Sequence, residues 1–423
     1  MTPAGARPRS PRWLPPRSLR AFAARDFRFV WLGILTRGSS QWIQVTASPL
    51  LVLELGGSAL DLGVLAALQF GPAVLLSPLG GALADRVSRR SLLLWLHSAL
   101  AVQVCVLAAG AASGNISVAA VLVISTVFGL ATAAEMPIRL AFLAGTVPRE
   151  HLPNAIVLHQ AAFSTTRLLG PAAAGVLLLA VGFGPTLIVA AALALLAPWL
   201  LLATRPSFGT PAAAQGVRPF AEFLRTGVDY AWSTPAIRNL LIVVFGISAF
   251  GNSIQAILPL FAVDSLGMGS WAFGLLLSAF GTGGLLAAAP MTFISPATAG
   301  NVIRVALLCF ATALLALAFA PTFVVAVGLL VVAGFCHMAV FGGASITVQS
   351  IVDDALRGRL MGLYIATWSA GLALGSLLVA SVTEYADARI GLMLCAAGTL
   401  CVGLWAVLVG RGPSARTETL SRQ

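Results

Sequence analysis

Three charges stand inside apolar runs, where a charge is expensive: Arg37, Glu135 and Arg167. On insertion scales each costs about 2.5–3.5 kcal/mol at the centre of an apolar helix, so each is a candidate for function. At about 1.5 Å of rise per residue from the charge-rich end of its run, Arg37 lies roughly 13 Å deep, Glu135 about 12 Å and Arg167 about 20 Å. Comparable depths predict an Arg–Glu–Arg cluster. One chemistry for such a cluster is proton exchange. A proton on Glu135 would release an arginine, and an arginine could hold an anion or keep Glu135 ionised. The other is a fixed buried salt bridge, which Arg139, one turn along, could join. His337 could titrate or touch substrate, or simply pack. Gln41, Gln44, Asn252 and Gln255 suit either cavity-lining donors or polar contacts between helices.

The elements that must position these residues follow from composition. The chain has 423 residues, 59% of them apolar and only 9% charged. A soluble chain this apolar has too little polar surface, so a polytopic membrane protein is expected. The net charge of +11 comes from arginines scattered among apolar runs, with no basic stripe for nucleic acid. Every basic side chain is Arg, so a phosphate-binding loop and Schiff-base chemistry are both excluded. No paired Ser/His/Asp spacing, nucleotide loop or metal-ligand cluster is visible, so neither an enzyme nor a cofactor or metal is expected. The five cysteines lie in apolar stretches without a C-x-x-C pair and read as buried thiols.

Apolar runs long enough to cross roughly 30 Å of hydrocarbon number twelve. They cover residues 28–55, 58–84, 91–112, 116–143, 153–181, 185–204, 237–265, 270–293, 300–320, 322–349, 359–384 and 388–410. Twenty-two of the 25 arginines fall on one side of this arrangement, Arg389 lies on the other, and Arg37 and Arg167 lie within spans. The positive-inside rule then makes both termini cytoplasmic in a multi-pass plasma-membrane protein. The expected organisation is a tail (1–26), a six-helix bundle (27–204), a central cytoplasmic loop (205–236), a second six-helix bundle (237–410) and a tail (411–423). The halves repeat: Glu54 and Asp264 share an offset of 210 within similar stretches, and Gly170 maps onto Gly375 at 205. Two like-oriented halves imply a pseudo-twofold axis along the membrane normal, with a substrate path between them.

The loop after the second span reads GGALADRVSRRSLLL (80–94). Gly81, Leu83, Asp85, Arg86, Arg89, Arg90 and Leu93 fit the pattern G-x-L-x-D-R-x-G-R-[RK]-x-x-L, with Ser88 in place of the second Gly. The stretch resembles the loop between the second and third helices of the major facilitator superfamily. FRFVWLGILTRGSSQWIQ, TVPREHLPNAIVLHQAAFSTTRLLGPAAAG and LRGRLMGLY are similar to the enterobactin-exporter and macrolide-efflux branch. A second Asp-Arg loop is missing: PMTFISPATAGNVIR carries no acid. The resemblance implies the major facilitator fold, all α, with twelve transmembrane helices in two pseudo-symmetric bundles. It also implies a gating role for Gly81, Asp85, Arg86, Arg89 and Arg90, with Asp85 facing the N-terminus of the eleventh helix near Leu360. Topology alone would explain the arginines, but not Asp85 or Gly81. RLLGPAAAG resembles part of the antiporter signature of the fifth helix. Gly170, Pro171 and Gly175 there imply a helix bend, or alternatively a small-residue face for packing the eighth helix.

The expected function is secondary active export of a small amphipathic compound (a drug, siderophore or other natural product), driven by inward proton flow through alternating access. Its partners would be the substrate, protons and the lipid bilayer, with no nucleic acid, in a monomer. Arg37 and Arg167 tilt the substrate toward an anionic or catecholate-like compound. A nutrient symporter, or a non-transporting scaffold or sensor on the same fold, are the alternatives.

Overall fold

Long apolar runs bounded by Gly, Pro and Ser/Thr caps become helices because every backbone N–H and C=O must be satisfied internally in hydrocarbon. The computed structural model describes residues 17–76, 88–205, 220–352 and 354–410, and its regular elements are all helical. The first half holds α1 (Arg25–Glu54), α2 (Ala59–Phe70), α3 (Arg89–Ser113), α4 (Val118–Leu143), α5 (Leu152–Val181) and α6 (Phe183–Leu202). After a short helix α7 (Phe220–Ser233) come α8 (Pro235–Ser265), α9 (Trp271–Met291), α10 (Pro296–Ala318), α11 (Phe323–Ile351), α12 (Asp354–Glu384) and α13 (Ala388–Gly410).

Among the described residues, eleven helices are apolar and long enough to cross a membrane: the segment Ala59–Leu76 that contains α2, α3 to α6, and α8 to α13. The remaining long helix, α1, has 30 residues, about 45 Å of rise, but carries Arg25, Asp26, Arg28 and Arg37. It also buries Ser40, Gln44, Thr46 and Ser48, so its polarity faces protein and not lipid. Excluding α7, the described residues hold six plus six long helices, as the resemblance to the major facilitator superfamily implies. Of the expected second span, residues 77–84 lie outside the described residues.

An even number of long helices brings α1 and α13 to the same end of the bundle, here called the terminal end. The α1–α2 turn marks the distal end. Turns at the distal end are tight and use glycine: Gly182 alone links α5 to α6 at φ 76°, in the region an L side chain rarely adopts. The Ser58 hydroxyl and the Asp61 carboxylate cap the start of α2 reciprocally.

Two features depart from the sequence expectation. The polar stretch 205–236 contains α7, whose Phe220, Phe223, Leu224, Val228 and Ala231 recur at helical spacing. The seventh span is not a uniform α-helix: α8 carries π-helical segments at Ile247–Asn252 and Phe261–Ser265. Such widened turns accommodate close neighbours, and at Gly375 of α12 an added Cβ would collide with the Ala249 carbonyl.

The two halves meet along two seams, α2 with α12 and α5 with α9. Small residues let the backbones touch. A Cβ on Gly63 would lie 2.5 Å from Ala380 Cβ and 2.9 Å from the Ser376 carbonyl. On Gly175 it would lie 2.6 Å from the Trp271 carbonyl, and on Gly274 it would run into the Pro171 carbonyl. The Leu60 N–H donates to Glu384 Oε2 (3.0 Å), and the Ser278 hydroxyl donates to the Leu168 carbonyl (2.8 Å). These contacts run from the distal end to the middle of the helices.

Candidate functional site

Arg37, twelve residues into α1, Glu135, eight residues before the end of α4, and His97, eight residues into α3, all lie about 12–18 Å from the terminal end. Helix packing brings them together. Glu135 accepts from Arg37 Nη2 (3.2 Å on Oε2) and from Arg139 Nη1 (2.9 Å on Oε1). His97 Nε2 lies 3.1 Å from the same Oε1. Glu135 is 2% exposed, Arg37 3%, His97 7% and Arg139 8%, so the group is essentially dry.

The surrounding residues fix the geometry. Arg37 Nη2 also donates to Thr132 Oγ1 (3.3 Å), and its guanidinium lies over the Phe128 ring. Arg139 sits over Phe163 of α5. Cation–π contact supports both positive charges where water is absent. A crevice between α1, α3, α4 and α6, walled by Phe29, Ile34, Leu93, Phe142, Ala197 and Leu201, reaches all four polar residues. Three buried nitrogens of the group remain without hydrogen-bond partners: Arg37 Nε, Arg139 Nε and His97 Nδ1. With two guanidiniums and an imidazole on one carboxylate, Glu135 ties α4 to α1 and α3. Removing one partner of such a buried set typically costs about 3–5 kcal/mol.

The arrangement differs from the sequence expectation in its second arginine. Arg139, not Arg167, completes the pair on Glu135. Arg167 lies across α5 with its guanidinium 5.7 Å from the centre of the Trp42 ring. His97 is absent from the sequence reading. An isolated His in the apolar run LLLWLHSALA carried no pattern that tied it to Glu135, 38 residues away.

The amide candidates divide. Gln44 is buried and exchanges hydrogen bonds with Gln103 of α3 (3.1 and 2.8 Å), a structural link inside the first half. Gln41 is partly exposed. Asn252, in the first π-helical segment, accepts from Gln255, and Gln255 faces a cavity between the two halves. That cavity is walled by Val45, Leu65, Phe70, Phe273 and Leu372, and Gln69 enters it with its Nε2 unpartnered. Gln69 was legible only as one amide in an apolar run. His337 is 4% exposed and packs among Phe280, Phe310 and Phe341, with ring centroids 5.4, 6.1 and 6.3 Å away.

Of the gating loop, Gly81, Asp85 and Arg86 lie outside the described residues. Arg89 donates to the Ala141 carbonyl (3.3 Å), and Arg90 Nη2 donates to the Leu202 carbonyl (2.8 Å). Both thus clamp the start of α3 to the C-terminal ends of α4 and α6, where a cation also meets the negative pole of a helix. Gly170, Pro171 and Gly175 lie within one unbroken helix, α5. Gly170 faces Trp42, and Pro171 and Gly175 face α9, so all three form a close-packing surface.

A model of the family described as "Transmembrane secretion effector" matches residues 17–421 of the chain. The multidrug efflux pump Tap of Mycolicibacterium fortuitum is 26% identical over 390 residues, 89% of this chain and 94% of that protein. The staphyloferrin A transporter of Staphylococcus aureus is 29% identical over 251 residues, 58% of this chain and 62% of that protein. In fold, the chain is similar to a bacterial homologue of the human lysosomal transporter Spinster in an inward-facing, occupied conformation. The TM-score is 0.72 at 16% identity, covering 94% of this chain and 98% of that one.

Proposed function

We propose, since this chain belongs to the transmembrane secretion effector family of major facilitator transporters, that it exports a small amphipathic compound in exchange for protons. The efflux pump and the siderophore transporter among its relatives support export of a drug, siderophore or similar natural product. The apolar cavity between the halves carries a few amides but measures only about 30 Å³, so a ligand of this size would enter it once the halves part.

The observation that carries the coupling is Glu135, bound at once to α1, α3 and along α4. A proton on this carboxylate neutralises it, cuts the α1–α4 ion pair and leaves two guanidiniums facing each other. The first half must then repack, and the α5–α9 and α2–α12 seams are the surfaces on which it can rock. With the arginine-rich terminal end in the cytoplasm, the seams close the outer side in this state and the path opens inward. The gating residues Gly81, Asp85 and Arg86 would latch the opposite state, with Arg89 and Arg90 bracing the base of that loop.

Accumulation of candidate compounds in cells with and without the protein, before and after the proton gradient is collapsed, tests this. Lower accumulation that vanishes with the gradient is expected. Equal accumulation throughout, or export indifferent to the gradient, contradicts it.

A further inference from the structure

Arg167 is the second arginine at membrane depth, and its surroundings are unlike those of Arg37. It lies 15 residues from the start of α5 and 14 from its end, so it stands near the middle of the bilayer. Among the described residues no hydrogen bond or ion pair holds its guanidinium, and its one named contact is the face of Trp42. Its main chain lies on the seam between the halves: a Cβ on Gly281 of α9 would be 3.3 Å from the Arg167 carbonyl.

Among the described residues only one acidic side chain, Glu135, lies deep within a long helix. Glu135 already carries two guanidiniums. A half-buried, permanently charged group at mid-membrane therefore lacks a counter-charge among the described residues. Trp42 occupies one face of the planar guanidinium and leaves its edge of N–H donors free, the edge that grips a carboxylate or phenolate.

We propose that the Arg167–Trp42 pair is the anion-binding element of the transport path, and that the exported compound is an amphipathic anion with a carboxylate or phenolate on an apolar body. The inference rests on the exporter reading for its transport step but not for binding. The substrate's own charge neutralises Arg167, so occupancy lowers the cost of carrying that cation through the membrane interior.

Fluorescein and rhodamine 6G share a xanthene body, one anionic and one cationic. Titrated into the purified full chain, fluorescein is expected to bind saturably by fluorescence anisotropy, and rhodamine 6G at least tenfold more weakly. Arg167→Gln should weaken fluorescein at least tenfold, and Arg167→Lys, which keeps the charge but loses the planar fork, should fall between Arg167→Gln and the wild type. Arg167→Leu should melt no lower than the wild type, a result that a structural arginine would not give. Fluorescein binding unchanged in Arg167→Gln, absent from the wild type, or matched by rhodamine 6G would overturn the proposal, as would a lower melting temperature for Arg167→Leu. Proteoliposome flux separates the two readings: fluorescein bound through Arg167 but never moved leaves the anion site standing and contradicts export.

Discussion

In the first six-helix half a carboxylate, two guanidiniums and an imidazole share one buried crevice among α1, α3, α4 and α6. In the second half the most polar ring at comparable burial, His337, lies among three phenylalanines with its Nε2 unpartnered. The two halves repeat in sequence and share an orientation, yet they divide the chemistry unequally. A pseudo-twofold fold requires matched helices and matched seams, not matched charges. One half holds a buried ion-pair knot while the other packs its deep histidine among phenylalanines.

The largest effect should come from cutting the knot. Glu135→Gln leaves Arg37 and Arg139 without a counter-charge, and uphill export should fall at least 100-fold, with a stability loss of about 3–5 kcal/mol. The matched change in the other half, His337→Phe, extends an existing phenylalanine nest and should alter export less than about threefold. Flux and melting curves on the two variants check both, and equal losses would break the asymmetry.

Next in size is the seam. Gly274→Leu drives a side chain into the Pro171 carbonyl and should cut export at least tenfold by holding the distal end open. Gly328→Leu, at a position with open space around it, should leave flux unchanged. Labelling of a cysteine placed at the distal turn reads the opening directly.

A smaller effect is expected at His97. His97→Gln can still direct an N–H toward Glu135 but loses the rigid ring that spans from α3. Export should drop about three- to tenfold, and flux equal to the wild type would remove His97 from the site. The smallest effect belongs to Gln44→Leu, which strands buried Gln103 and should cost about 1–3 kcal/mol of stability with little change in flux.

The fold was largely legible because its signal is long-range in composition but local in position. Each apolar run announces a helix, and Gly, Pro and capping residues mark its ends. The site was legible in part. Glu135 and Arg37 stood out because charge inside hydrocarbon is costly, and equal depth on α1 and α4 brought them together. Depth does not report azimuth, however. Arg167 lies deeper along α5 and points to Trp42, while Arg139 reaches Glu135 simply by being one turn away on α4. His97 was silent because histidine is tolerated in apolar runs and its partner lies on another helix. The first π-helical segment of α8 packs against Gly375 of α12, a contact that no local pattern encodes.

The most direct measurement of a proton-linked carboxylate at the core of the first half is proton movement itself. Full-length protein in proteoliposomes containing a pH-sensitive dye is given an exported compound on one side. Wild-type vesicles are expected to show proton movement opposite to the compound, and Glu135→Gln vesicles, reconstituted to equal density, none. Proton movement of equal size in the variant would contradict the coupling role of Glu135.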